Sequence, residues 1–167
     1  TIDKDKNSIS IWDNGGIPVV KHKEHKEWIP EMIFSNLKAG SNFNDDEERS
    51  WAGTNGVGST LTNIYSNEFT IETCDGKNQF SQTFTNNMRE RTSPKIKKAT
   101  RSHTKISFNP DFEKFTMDGL DESHYQLLEK RVYDLAACNT KIKIYFNGKV
   151  INFKSYEDYI KLYVDDF

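Results

Sequence analysis

Only two cysteines, Cys74 and Cys138, occur in the 167 residues, and they do not form a Cys-x-x-Cys pair. That excludes a disulfide framework or a cysteine zinc site as the organising feature, and both residues are expected as free, buried thiols. No apolar run approaches the ~20 residues that a membrane helix needs, and no charged-then-apolar leader opens the chain. A soluble intracellular protein without a membrane partner is expected. An excess of one charge is also missing, since 23 basic and 25 acidic residues leave a net charge of −2. There is no global field to gather nucleic acid or anionic lipid, so any role on DNA would be indirect or carried by other segments.

What is present is about one domain's worth of chain, 35% hydrophobic, without internal repeat or linker. It runs from Thr1, with no initiator methionine, straight into the strand-like alternation Ser8-Ile9-Ser10-Ile11-Trp12, and it stops at Phe167 without a tail. Both ends read as cuts through a longer polypeptide, with the N-terminal part of the domain missing. Residues 27–37 place Trp28, Met32 and Ile33 at helical intervals, with Pro30 suited to the first turn. Residues 38–58 turn to Gly, Ser, Asn and acidic groups and read as a long, poorly ordered loop. A helix is expected at 59–65, and strands at 68–73 and 79–84 are joined by Asp75-Gly76. The basic stretch 89–101 reads as a surface excursion before a strand at 104–108. A helix at 121–137 puts Tyr125, Leu128, Val132 and Leu135 on one face. A hairpin follows, 141–146 and 149–153 around Asn147-Gly148, then a helix capped by Ser155. The order predicts an α/β (α+β) two-layer sandwich, a mixed sheet with helices on one face.

Chemistry concentrates in three places. Gly53-Thr54-Asn55-Gly56-Val57-Gly58-Ser59 lies directly before a helix, where backbone N–H groups can approach phosphate oxygens and the helix N-terminus adds positive potential. It has neither the Gly-Lys-Ser/Thr ending of a Walker loop nor the strand-to-helix turn of a dinucleotide fingerprint. Asp13-Asn14-Gly15-Gly16 follows the first strand, where a carboxylate can accept a hydrogen bond from a flat heteroaromatic amine. Thr104 sits on a later strand and could bond the same amine edge. Each has a plain alternative: a flexible loop, an ordinary β-turn, an exposed strand threonine. His22 and His25 form a His-x-x-His pair for which the sequence suggests no further ligand, so no metal site is expected. Glu24, Glu27 and the acidic cluster at 45–48 read as solvated charges.

Taken in order, Ile9 to Val20, Ile33 to Leu37, Ser41 to Asp46, Gly53 to Ser66 and Ile106 to Phe112, with the Phe146-Asn147-Gly148-Lys149 hairpin, resemble the ATPase domain of type II DNA topoisomerases. The likeness is greatest to the eukaryotic enzymes and the large subunit of T-even phage enzymes, within the GHKL superfamily. It implies a single partial Bergerat-type ATP-binding domain over 1–167, leading toward a transducer domain. It implies ATP and Mg²⁺ as cofactors, a homodimer or multi-subunit enzyme, and DNA met through the full-length protein. The compartment would be a bacterial or phage-infected cytoplasm, or a nucleus. By the same resemblance Asp13 and Asn14 sit at the adenine pocket with Thr104, Ser41 and Asn42 contact ribose or phosphate, Asn55, Gly56, Val57, Gly58, Ser59 and Thr60 wrap the triphosphate, and Gly16 and Gly53 belong to the same nucleotide site.

The chain departs from that family at Gly15-Gly16, adjacent where the usual motif is Asp-x-Gly-x-Gly, and at Ser59-Thr60, where eukaryotic enzymes often carry lysine. The family's catalytic Glu and Mg²⁺-binding Asn lie on a helix before the first glycine motif, and its phosphate-sensing lysine lies beyond Phe167. No catalytic residue is therefore expected within this chain, and weak or absent ATP affinity without turnover is expected of it alone. Two alternatives stay open: a GHKL ATPase of repair or chaperone type, and a non-catalytic dimerisation or scaffold module with a degenerate pocket.

Overall fold

The computed structural model describes residues 1–39, 53 and 55–164. In chain order the elements are β1 (Ile2–Asp3), β2 (Ser8–Asp13), α1 (Ile29–Ser35), α2 (Gly58–Ile64), β3 (Ser66–Cys74), β4 (Asn78–Thr85), β5 (Glu90–Arg91), β6 (Lys95–Lys98) and β7 (His103–Pro110), then a 3₁₀ turn (Phe112–Phe115), α3 (Glu122–Cys138), β8 (Ile144–Phe146), β9 (Lys149–Ile151) and α4 (Tyr156–Ile160). They form two compact units, Ser8–Thr116 and the pair of segments Thr1–Asn7 and Met117–Phe167.

The larger unit is built on a sheet in the order β2-β7-β3-β4, with β5 and β6 both on β4. Each of these ladders is antiparallel. Register sorts the faces, because side chains opposite one another across a ladder share a face and neighbours along a strand do not. Phe108, Phe69 and Phe84 fall in one row and Ile11, Ile106, Ile71 and Gln82 in another on the same face. Between them on the opposite face run hydroxyls, with Ser10 against Ser107 and Thr70 against Thr83, each pair 3.0 Å apart. Period-two patterning thus makes one greasy and one polar face. The greasy face joins Phe69, Ile71, Phe80 and Phe84 to Val19 and Phe34 in the core. α1 brings Phe34 to 5.8 Å from Phe69, and Trp28 at its N-cap lies 6.4 Å from Phe80. Sequence spacing singles out Trp28, Met32 and Ile33; all three are half-buried, with Trp28 and Ile33 packed against the core that Phe34 of α1 enters.

Two strands of the larger unit were invisible in the sequence. The stretch expected as a surface excursion at 89–101 contributes β5 and β6, both exposed. An edge strand outside the core needs backbone pairing but no apolar alternation, so lysine-rich Lys95–Lys98 gave no strand signal.

In the smaller unit, the Asp121 carboxylate accepts the His124 N–H at 2.8 Å and caps α3. The β8–β9 turn uses Asn147 and Gly148 at φ 46° and 81°, the paired left-handed conformation that an Asn-Gly hairpin supplies. The Asn147 side chain also accepts from Ile2 N–H at 2.7 Å and donates to Ile2 carbonyl at 3.0 Å, pairing with β1 as a strand backbone would. Tyr159 of α4 donates to Asp134, which also holds Lys130 at 2.8 Å. Two expectations fail here. Leu135, placed on the apolar face of α3, is 56% exposed while Ala136 and Ala137 are buried, and Cys138 is exposed rather than buried, though both thiols are free. No described helix is long and apolar enough to cross a membrane.

Candidate functional site

Asp13 ends β2 opposite Thr104 of β7, which lies opposite Thr73 of β3, so the three share one row and one face. This is the juxtaposition that the Asp13 and Thr104 assignment required. The Asp13 Oδ1 accepts the Gly15 N–H at 2.8 Å, an Asx turn that reverses the chain and leaves the rest of an exposed carboxylate free to accept. Asn14 and Gly16 are exposed beside it.

Thr104 does something other than the sequence suggested. Its buried hydroxyl donates to the Gly15 carbonyl at 2.8 Å and lies 2.9 Å from the Thr73 hydroxyl. With its one proton on Gly15, it accepts from Thr73. Thr73 in turn receives the Ile17 N–H at 3.0 Å, and its single proton is shared between the Thr104 oxygen and the His103 carbonyl at 3.1 Å. Further along, Val19 N–H donates to Asp75 at 3.0 Å. Backbone N–H groups of Asn78, Val19 and Lys77 together hold the Asp75 carboxyl below the usual carboxylate range. Gly16 is dictated by space, since a Cβ there would stand 2.0 Å from the Cys74 carbonyl oxygen. The turn is therefore moulded by β3 and β7. Thr73, Cys74 and Asp75 were missed as site residues, because in the sequence they read only as the end of a strand and its turn.

The glycine segment is organised differently. Ser41 and Asn42 lie outside the described residues, as does most of the 38–58 loop and its expected disorder. Gly56 takes a left-handed φ of 59°, and its carbonyl accepts the Lys38 N–H at 2.9 Å. At Gly53 and Gly58 an added Cβ would meet nothing within 4 Å, so neither is demanded by packing among described residues. Val57 is the N-cap of α2, and Asn55 is exposed. The Ser59 hydroxyl donates to the Ile33 carbonyl at 3.3 Å, Thr60 to Asn36 at 3.0 Å and buried Asn63 to Phe34 at 3.0 Å. These are the last carbonyls of α1, which its own helix cannot satisfy. Ser59 and Thr60 thus spend their side chains on α1, and what α2 offers an anion is the backbone of its first turn.

No family model matches the chain. Among curated proteins it is 45% identical to DNA topoisomerase 2 of Caenorhabditis elegans, over 100% of this chain and 11% of that protein. It is 47% identical to DNA topoisomerase 2 of Acanthamoeba polyphaga mimivirus, over 97% of this chain and 13% of that protein. The chain therefore spans about a tenth of the length of the curated relatives it matches. The ATPase region of Saccharomyces cerevisiae topoisomerase II bound to ICRF-187 (dexrazoxane) superposes with a TM-score of 0.93 at 36% identity, covering 98% of this chain and 45% of that one. The ATPase and transducer domains of DNA topoisomerase II from Balamuthia mandrillaris give 0.92 at 38% identity, covering 99% and 44%. The antiparallel sheet, with α1 packed on its apolar face, is the fold these structures share, and by sequence and fold alike this chain is a homologue of the ATPase region of the type II DNA topoisomerases.

Proposed function

We propose that this chain forms the adenine-side wall and part of the phosphate cradle of an ATP site, and that the protein carrying it couples ATP hydrolysis to DNA strand passage by closing a dimeric gate. The observation that carries the reading is the turn at residues 13–19, which is pre-shaped by β3 and β7 and presents the Asp13 carboxylate at its mouth. A carboxylate fixed at the end of a strand suits the exocyclic amine of adenine, and a turn closed by Gly16 leaves room for a flat ring. Asn55 would approach the phosphates through its exposed side-chain amide, and Gly56, Val57 and Gly58 through backbone N–H groups and the start of α2. In this reading Thr104 is a positioning residue, holding Gly15 rather than touching adenine.

Mg²⁺ neutralises phosphate charge when bound with ATP. Asp13 is the only carboxylate among the described candidate residues, and it already accepts from Gly15, so this set does not itself make a Mg²⁺ site. The general base for the attacking water is likewise placed elsewhere in the protein. Glu31 is tied to Gln82 at 3.1 Å and Arg91 at 3.1 Å, and Glu72 to His103 at 3.0 Å, so both are structural groups. A positioned base contributes ~10²- to 10⁴-fold, so the chain alone should show no turnover. The test compares ATP hydrolysis by this chain and by a polypeptide extended in both directions, each with and without Asn55→Ala. Hydrolysis is expected only in the extended form and is weakened by the substitution; turnover by the chain alone that Asn55→Ala abolishes would place a base within these residues.

A further inference from the structure

Between β2 and α1 the chain makes a closed turn whose base is the bridge between Lys21 and Trp28. The His22 N–H donates to the Glu27 carbonyl at 2.7 Å, Lys26 N–H to the His22 carbonyl at 3.0 Å, and Ile29 N–H to the Val20 carbonyl at 2.9 Å. Lys26 adopts the left-handed φ of 61° that closes the loop. This backbone gathers His22, Glu24 and His25 on its tip, their ligand atoms all within 4.8 Å of one another. The two imidazoles stack with centroids 4.8 Å apart. Glu24, which the sequence left as a solvated charge, thus stands beside the His-x-x-His pair.

We propose that His22, Glu24 and His25 form a binding site for a borderline divalent ion of the zinc class. Two imidazoles and a carboxylate are a ligand set that Zn²⁺ takes, with water filling a fourth, open position. Tetrahedral coordination with bonds of ~2.0–2.1 Å needs ligand atoms roughly 3.4 Å apart. The cluster must therefore contract by about 1.5 Å, which the exposed Glu24 and His25 and the half-buried His22 achieve by side-chain rotation over a backbone already closed. Besides its stack on His25, the His22 ring is held by long contacts to Nδ1, from Glu24 N–H at 3.4 Å and His25 N–H at 3.3 Å, so turning it toward an ion gives up little. Lys21, Lys23 and Lys26 flank the turn, and their charge keeps the affinity modest. Bound there, the ion would brace the turn that delivers Trp28 and α1 to the core.

The experiment titrates the chain with Zn²⁺ by calorimetry and with Co²⁺ by visible absorption, in a Cys138→Ser background that removes the exposed thiol. One ion per chain is expected, with a tetrahedral Co²⁺ spectrum. Affinity should fall by about tenfold or more in His22→Ala and in His25→Ala, less in Glu24→Gln, and not at all in His124→Ala. Zn²⁺ should also slow hydrogen exchange at the His22, Lys26 and Ile29 amides. No binding, or equal binding by the chain and the His22→Ala/His25→Ala double variant, overturns the proposal.

Discussion

The two glycine-bearing segments of the larger unit reach ligand-ready shapes by opposite means. At residues 13–19 the backbone is held from outside, with Gly15 and Ile17 bonded to side chains of β7 and β3, Val19 to Asp75 in the turn after β3, and Gly16 seated against the Cys74 carbonyl. At residues 59–60 the side chains turn away, Ser59 and Thr60 anchoring α1, so that there the backbone is left to face a ligand. Base recognition depends on the direction of a few hydrogen bonds and benefits from a rigid mould, whereas phosphate needs amides and positive potential more than shape. Substitutions in the first segment should therefore damage fold and recognition together, and those in the second should separate them.

The largest effect is expected from Gly16→Ala. The new Cβ collides with backbone, which cannot rotate aside, so the turn must shift; a loss of about 1–3 kcal/mol or more is expected by urea unfolding, together with loss of nucleotide binding. An unchanged midpoint would show that the turn is not seated as described. Next comes Thr104→Val, which keeps the shape and strands the Gly15 carbonyl. It should lower stability by about 1–3 kcal/mol and loosen the turn, visible as faster exchange at the Ile17 amide. Thr60→Val should be milder, about 0.5–1.5 kcal/mol, because the Asn36 carbonyl it abandons lies at an exposed helix end. If nucleotide affinity falls with Thr60→Val more than stability does, the hydroxyl reaches phosphate after all.

Asp75 gives a pH signature. Its carboxyl is held below the ordinary 3.8, so the stability it contributes is complete above that value and disappears as pH falls through the lower folded one. The stability difference between the chain and Asp75→Asn should stay constant above about pH 5 and close below pH 4. A difference that persists at the acid end would mean the Val19, Lys77 and Asn78 amides do not depend on the charge. The smallest effect belongs to Asn14→Ala, exposed and outside every hydrogen bond described above. It should stay within about ±0.5 kcal/mol, a surface baseline for the others.

The parts legible in the sequence are those where local chemistry and tertiary need coincide. Asp13 before two glycines, Asn147-Gly148 between strands, Asp121 and Ser155 before helices each announce a turn or cap, and each serves as one. The roles of Thr73, Asp75 and Thr104 were hidden because a threonine on a strand looks the same whether it faces water or props a turn 89 residues away. Ser59 and Thr60 carry a role on α1 that the sequence did not show. Their place after a glycine motif suggested phosphate, while their partners on α1 are set by helix packing that no local pattern encodes. The His22–Glu24–His25 cluster needed the bridge from Lys21 to Trp28 before Glu24 could be seen beside the histidines.

Amide chemical shifts during a titration of the chain with adenine nucleotide at millimolar concentration test the central claim most directly, because weak binding is still visible there. The account predicts shifts centred on Asn14, Gly15, Gly16 and Ile17, weaker ones at Asn55 to Gly58, and loss of the first set in Asp13→Asn. Shifts confined to other residues, no shifts at all, or an Asp13→Asn chain that titrates like the original would contradict it.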